Sequence, residues 1–219
     1  MVICNSFWGI DTPMPIPPNI VMTGPLIKRG AATQLSALER KDPSLYAWMN
    51  DAQSKGEDII YLSLGSMCSW FEWSVKAMYN GVKDIPKTRV IWSIKAEAAK
   101  FLPEDLDESK FFISSWLPQV ELLCHPSVKA GLTHCGWGGT LEFISSGIPM
   151  VCLPHFGDQP INSALIKDRG IGEVLIDTKH CSKGTPINFE KPIFTTEKVK
   201  ELFSKVLSDP KYRRNIINV

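Results

Sequence analysis

A glycine-rich turn between a predicted strand and a predicted helix is the strongest chemical feature of the chain. It reads THCGWGGT over residues 133–140. Free N–H groups and the dipole at a helix start bind phosphate without a metal, and glycines at 136, 138 and 139 let a phosphate approach the backbone. His134 could donate to a phosphate oxygen, or be a satisfied core histidine. The turn matches neither GxGxxG nor GxxxxGK[ST], so neither usual phosphate loop is indicated.

Other positions offer groups that suit a nucleoside and a sugar. Trp116 could stack on a planar base, although a single tryptophan is more often part of a core. Glu142 lies one turn into the predicted helix, where a carboxylate would turn away from a phosphate and toward hydroxyls such as those of a ribose. Asp158 and Gln159 place an acid beside an amide, which suits vicinal sugar hydroxyls.

The elements that must position these residues alternate between strand and helix. Short apolar runs predict strands at 59–64, 89–94, 111–116, 128–134, 149–154 and 172–176. A helical pattern covers 36–54, with Pro43 near a helix start, and helices are predicted at 72–81, 119–124, 139–146 and 158–169. A last helix is capped by Thr195 and interrupted at Pro210. This pattern predicts an α/β fold, a Rossmann-like parallel sheet with helices on both faces.

Ligands bind beyond the carboxyl ends of the strands in such sheets. Polar or aromatic residues follow four predicted strands, at 65–66, 116–119, 134–140 and 155–159. They should converge on one edge, although any α/β protein carries some polar loops there. Residues 1–30 contain a short apolar run and a proline-dense segment, which predicts a linker preceded by the last strand of another unit.

Bulk properties exclude several classes of protein. The chain has 219 residues, a formal net charge of +1, 44% hydrophobic and 21% charged residues, which is ordinary for a globular domain and gives no basic excess for nucleic acid or an anionic membrane. The six cysteines form no CxxC pair and indicate reduced thiols. Without a transmembrane run or a signal peptide, we expect a cytoplasmic protein.

The run WLPQVELLCHPSVKAGLTHCGWGGTLEFISSGIPMVCLPHFGDQPIN, residues 116–162, resembles the donor signature of family 1 UDP-glycosyltransferases at every spacing. Its HCGW part is closest to the plant type and its PHFGDQ part to the animal type. The proline-rich segment resembles the interdomain linker of that family. The resemblance implies the C-terminal half of a GT-B fold, with residues 1–30 as a remnant of the N-terminal domain and linker, and 31–219 as the UDP-sugar binding domain.

The resemblance also implies a role for each matching residue. Trp116 would stack on uracil, and the Leu117 backbone would bind the edge of the base. Gln119 and Glu142 would bind the ribose, and His134 and Ser66 would bind the diphosphate together with the amides of residues 138–140. Trp137, Asp158 and Gln159 would bind the donor sugar. The full set of expected donor-binding residues is Ser66, Trp116, Leu117, Gln119, His134, Gly136, Trp137, Gly138, Gly139, Thr140, Glu142, Asp158 and Gln159. No cofactor or metal is expected besides the UDP-sugar co-substrate.

One departure concerns the phosphate site. The plant-type signature has Asn-Ser where this chain has Gly138 and Gly139, so two side-chain donors are missing. Backbone amides remain and Thr140 could partly compensate. We therefore expect weaker or more adjustable diphosphate binding.

Other motifs do not support a competing chemistry. Asp105-Leu106-Asp107 is a literal DxD, the Mn²⁺ motif of the other major glycosyltransferase architecture, but it lies in a solvated acidic stretch that predicts a helix start or an exposed turn. Cys124-His125 and His134-Cys135 lack the spacing of a structural zinc site. No GxSxG elbow suggests a hydrolase.

Inverting transfer needs a base for the acceptor, and the resemblance places that base on a domain preceding this chain. His125, His155 and His180 do not match its position, so we expect no catalytic base here. Three hypotheses follow: part of an ordinary UDP-glycosyltransferase, with glucose as the expected donor sugar and a small-molecule acceptor; a stand-alone donor-binding subunit with a partner; or a non-catalytic nucleotide-sugar binding protein. The first is favoured, with this chain alone inactive.

Overall fold

A parallel β-sheet organises the molecule. The computed structural model describes residues 1–27, 30–176 and 187–219, so His180 and Cys181 lie outside the described residues. The strands are β1 (Val2–Cys4), β2 (Ile20–Met22), β3 (Asp58–Ser63), β4 (Thr88–Ser93), β5 (Phe111–Ser114), β6 (Val128–Thr133), β7 (Met150–Cys152) and β8 (Gly172–Val174). Six of them form one parallel sheet of order β5-β4-β3-β6-β7-β8, and β1 pairs in parallel with β2 alone.

Helices cover both faces of the larger sheet. They are α1 (Ala31–Lys41), α2 (Pro43–Ser54), α3 (Glu72–Val82), α4 (Ala96–Ala99), α5 (Gln119–Leu123), α6 (Trp137–Ser145), α7 (Gln159–Asp168), α8 (Thr196–Ser208) and α9 (Pro210–Ile217). The predicted α/β class and parallel sheet are confirmed.

Alternate residues of β3 divide the core in two. Ile60 and Leu62 face the cluster that includes residues of α3 and α8, whereas Ile59 and Tyr61 face the cluster built on α1, α2, α6 and α7. Successive strand residues point to opposite faces, and both faces are covered. This explains why the strand reads as a continuous apolar run.

The order of the strands reverses beside β3. The chain runs from β3 outward through β4 to β5, then returns to the other side of β3 as β6. Loops after β3 and β6 therefore diverge and leave a crevice at the carboxyl edge, which is where ligands bind in open α/β sheets.

Two prolines each begin a helix. The helical pattern predicted at 36–54 is two helices, and the predicted helix start near Pro43 is that of α2: Pro43 has no N–H to continue the first helix, and the Asp42 side chain accepts from Leu45 N at 3.0 Å. Pro210 does not merely interrupt the last helix; it begins α9. Thr195 caps α8 as predicted, accepting from Lys198 N at 3.2 Å.

Short elements escaped prediction. Strand β2 and helix α4 have three and four residues, too few to show a hydrophobic period. The acidic turn is confirmed: Asp105 and Asp107 are exposed, and Asp107 accepts from the amide and hydroxyl of Ser109. The described cysteines are free thiols. Within the described ranges, no helix has the length and apolar character needed to span a bilayer.

Candidate functional site

A cleft opens at the carboxyl edge of the sheet, over β3, β4 and β5. Its volume is about 440 Å³. Five of the expected donor-binding residues line it: Ser66, Trp116, Leu117, Gln119 and Glu142. These residues come from two loops, after β3 and β5, and from the helices α5 and α6, so the fold brings them together as the strand-end rule predicts.

A hydrogen-bonded chain forms one wall of the cleft. Tyr61 Oη donates to Gln119 Oε1 at 3.0 Å, and Gln119 Nε2 donates to Glu142 Oε2 at 2.6 Å. Burial raises the pKa of Glu142, and the bond from Gln119 partly opposes that rise. Each amide atom of Gln119 is committed to one partner, so the wall has a fixed orientation and leaves the other Glu142 oxygen to accept from a ligand hydroxyl.

Trp116 lines the same cleft and is 70% exposed. An indole this exposed is not a core residue, which removes the alternative that its sequence context left open. The next residue, Leu117, is buried in the core and anchors the backbone beneath the ring. A free aromatic face on an anchored backbone is suited to stacking on a planar base.

His134 stands at the junction of the β3 loop and the start of α6. A Cβ atom on Gly65 would lie 2.6 Å from His134 Cε1, and one on Gly136 would overlap Nε2. Glycine at both positions is therefore what admits the ring. Burial lowers the pKa of His134, with Asp158 pulling it the other way, so the imidazole is neutral near pH 7 and one ring nitrogen can donate.

The start of α6 offers free backbone donors. Gly136 is its N-cap, and the amides of residues 137–139 have no backbone acceptor among the described hydrogen bonds. Thr140 departs from expectation: its amide donates to Gly136 O at 3.0 Å, and its hydroxyl is buried without a described partner. The donors available to a phosphate are thus at 137–139, and Thr140 does not replace the missing side chains.

The residues expected to bind the donor sugar form hydrogen bonds within the chain. Trp137 Nε1 donates to Asn5 O at 2.7 Å, across to the N-terminal segment. Gln159 is only 4% exposed, and its Oε1 accepts from the amides of His155 and Phe156. Asp158 is exposed and accepts from Asn162 Nδ2 at 2.8 Å. All three lie outside the residues that line the cleft.

Tyr61 and Lys95 also line the cleft and were not predicted from the sequence. Tyr61 sits inside an apolar strand, where nothing distinguishes it from a core aromatic. Lys95 follows β4 almost directly and lines the cleft; applying the strand-end rule to β4, besides the four strand ends already considered, would have found it. Asn162, which also binds Cys135 O at 2.8 Å, joins the two signature segments.

Known proteins share both the sequence and this architecture. The profile described as "UDP-glucoronosyl and UDP-glucosyl transferase" matches residues 1–219. The chain belongs to the UDP-glycosyltransferase family. Anthocyanidin 3-O-glucosyltransferase of Solanum melongena is 32% identical over 176 residues, 76% of this chain and 39% of that protein. UDP-glucuronosyltransferase 2B14 of Oryctolagus cuniculus is 31% identical, across 100% of this chain and 36% of its own length.

Solved structures give the same fold. Os79 from O. sativa in complex with UDP is 27% identical with a TM-score of 0.61, covering 74% of this chain and 35% of that chain. Another Os79 complex, with U2F and trichothecene, aligns over 99% of this chain and 48% of that chain at a TM-score of 0.74 and 23% identity, which shows the GT-B fold alone. The chain thus spans less than half the length of these UDP-glycosyltransferases.

Proposed function

We propose that this chain is the donor-binding part of a glycosyltransferase that transfers glucose from UDP-glucose to a small acceptor with inversion. The observation that carries the proposal is the cleft in which an exposed Trp116, the Gln119–Glu142 pair and the loop of Ser66 meet. The relatives that it matches include a glucosyltransferase and a structure with bound UDP.

In this proposal the cleft and the neighbouring start of α6 together bind UDP. Uracil stacks on Trp116 with its edge on the Leu117 backbone, and the ribose hydroxyls bind Gln119 and Glu142. The diphosphate lies between Ser66, His134 and the free amides of α6. Charge develops on that diphosphate as the glycosidic bond breaks, so fixed donors there lower the barrier to its departure.

The donor sugar would extend toward Trp137, Asp158 and Gln159. Asp158 is exposed, and the Gln159 amide nitrogen has no partner among the described hydrogen bonds. These groups can turn to sugar hydroxyls, with the Trp137 ring as an apolar wall. The amides at the start of α6 give the diphosphate donors of its own, so the proposal is transfer without a metal.

A base for the acceptor would come from outside the described residues. His125 is buried, with Nδ1 accepting from Ser127 N and Nε2 3.3 Å from Asn50 Oδ1. His155 is buried and bonded through Nδ1 to Leu153 O. Neither faces the cleft, which is also why a nucleotide-sugar-binding subunit remains the second candidate.

The division of the chain into residues 1–30 and 31–219 is part of the proposal. The pair β1–β2 is a two-stranded parallel sheet with Val2, Ile3 and Val21 exposed. Two strands with an open apolar surface are not a stable unit alone, so we assign them to the edge of a preceding acceptor domain. The free thiols of the described cysteines fit a reducing compartment such as the cytoplasm.

Calorimetric titration tests this function. UDP and UDP-glucose should bind with a 1:1 stoichiometry in buffers with and without EDTA, and adenosine diphosphate should bind far more weakly. No UDP binding would refute the donor site, and loss of binding in EDTA would refute the metal-free mechanism. Adding a separately expressed acceptor domain from a relative, with UDP-glucose and a flavonoid acceptor, then distinguishes a transferase half from a binding subunit.

A further inference from the structure

We propose that Lys95 is a positioning residue for the donor diphosphate: it fixes the Ser66 loop and supplies the positive charge of the cleft. This inference rests on the proposed function, because it names how the same site holds an anion. Lys95 follows β4, on the side of β3 opposite α6. Its Nζ donates to Ser66 O at 2.9 Å.

The bond spans two strand-end loops. Ser66 lies in the loop after β3, and Gly65 within that loop has a φ of 67° and approaches His134. A lysine bound to the Ser66 carbonyl therefore fixes the loop that must present Ser66 to a phosphate. The same ammonium group keeps two further N–H donors for a ligand.

The charge balance of the cleft gives the second reason. Among the described residues that line it, Lys95 is the cation, whereas Glu97 and Glu142 are carboxylates. None of the ion pairs within the described ranges includes Lys95. Without this lysine, a diphosphate would enter a cleft whose side-chain charges are all negative.

The start of α6 gives the third reason. Gly138 and Gly139 contribute no side-chain donors, and the Thr140 hydroxyl is buried. Backbone amides carry only partial charges. A full charge from Lys95 complements them, so a neutral residue at position 95 should weaken phosphate binding while leaving nucleoside binding intact.

A ligand series with two substitutions tests the inference. Lys95→Met and the control Lys100→Met, which makes the same change in net charge outside the cleft, are titrated with uridine, UMP and UDP. We expect Lys95→Met to weaken UDP about tenfold and to leave uridine within about twofold, as for a charge-assisted hydrogen bond to phosphate. Lys95→Arg should restore most of the UDP affinity, and Lys100→Met should change none of the three.

Salt dependence provides a readout that a purely structural role would not move. Loss of one cation from a phosphate site should flatten the dependence of UDP affinity on ionic strength, because screening acts on that charge. Unchanged UDP affinity in Lys95→Met, or an equal loss for uridine and UDP, would overturn the role of Lys95 while leaving the donor site standing. Wild-type protein that fails to bind UDP would overturn both.

Should Lys95→Met not fold, Lys95→Gln replaces it and the same comparison applies. Thermal unfolding of each variant establishes that the titrated protein is native. A Lys95→Gln protein that binds UDP like the wild type would count against the inference just as firmly.

Discussion

The nucleoside end and the sugar end of the proposed donor site are built differently. At the nucleoside end, the polar atoms of Gln119 are fixed to Tyr61 and Glu142, and Trp116 offers an open ring. At the sugar end, Trp137 is bonded to the N-terminal segment, and Gln159 is bonded to its own loop. One end presents its surface before any ligand arrives, and the other has its side chains engaged within the chain.

This difference separates affinity from selectivity. A pre-formed surface binds without an ordering cost, so most of the binding free energy should come from the nucleoside. Side chains that must first exchange internal partners add little affinity, but they can discriminate between sugars. The chain should therefore bind UDP and UDP-glucose with similar affinity.

The largest predicted effect comes from removing the stacking surface of Trp116. Trp116→Ala should weaken UDP, UMP and uridine by roughly the same factor, about 10- to 100-fold, because a base–aromatic stack is worth about 1–3 kcal/mol. Calorimetry of the three ligands checks this. Trp8→Ala, which removes another exposed indole in the linker, serves as the control and should bind normally. A loss confined to UDP would mean that Trp116 acts on the phosphates.

The second prediction concerns the pH dependence of nucleoside binding. Burial raises the pKa of Glu142, so on acidification its carboxylate takes up a proton at a higher pH than an ordinary glutamate, whose pKa is about 4.3. Protonation weakens its acceptance of a ribose hydroxyl. Uridine affinity should therefore be full at pH 7.5 and fall severalfold toward pH 4.5.

Uridine is the appropriate ligand for that experiment, because it has no phosphate to titrate. Glu142→Gln keeps the size of the side chain and removes its proton equilibrium, so its uridine affinity should be lower at pH 7.5 and flat with pH. A wild-type profile as flat as that of Glu142→Gln would exclude Glu142 from the ribose site.

The two ends also differ in how much of their structure could be predicted from the sequence. The strands around Tyr61 and Leu132 are buried on both faces and are predicted directly from their apolar runs. The composition of the glycine-rich turn at residues 133–140 likewise predicts a phosphate site. By contrast, the bond from Trp137 to Asn5 joins residues far apart in the chain, and the inward turn of the Thr140 side chain depends on tertiary packing. Spacing can identify a residue type for a ligand but cannot reveal an internal partner that competes with the ligand.

The glycine-rich turn at residues 133–140 lies between the two ends, and substitutions in it should strengthen its binding of the diphosphate. A Cβ atom on Gly138 meets nothing within 4 Å, and one on Gly139 lies 3.6 Å from Gln119 Nε2, so the Cβ atoms of Gly138→Asn and Gly139→Ser have room. We expect UDP affinity to rise about threefold to tenfold through new donors, as neutral hydrogen bonds contribute about 0.5–1.5 kcal/mol each. Uridine affinity should stay unchanged.

Helix propensity must be separated from these donors. Replacing glycine in a helix also stabilises it by up to about 1 kcal/mol per site, so Gly138→Ala with Gly139→Ala is the matched control. It should raise the thermal stability of the protein without a comparable rise in UDP affinity. Equal gains in UDP affinity from both double variants would assign the effect to the helix and not to the side chains.

The smallest predicted change in UDP binding tests the sugar end alone. Trp137→Phe keeps an aromatic ring against the core and removes the N–H that binds Asn5 O, a hydrogen bond worth about 0.5–1.5 kcal/mol. We expect UDP affinity within about twofold of the wild type, because no atom of the nucleoside end depends on that bond. Hydrogen exchange of residues 5–10 should accelerate, and the ratio of UDP-glucose to UDP affinity should change. A tenfold loss for UDP itself would show that the two ends are energetically coupled. The change at residue 137 could then act on the nucleoside only through α6, the helix that carries both Trp137 and Glu142.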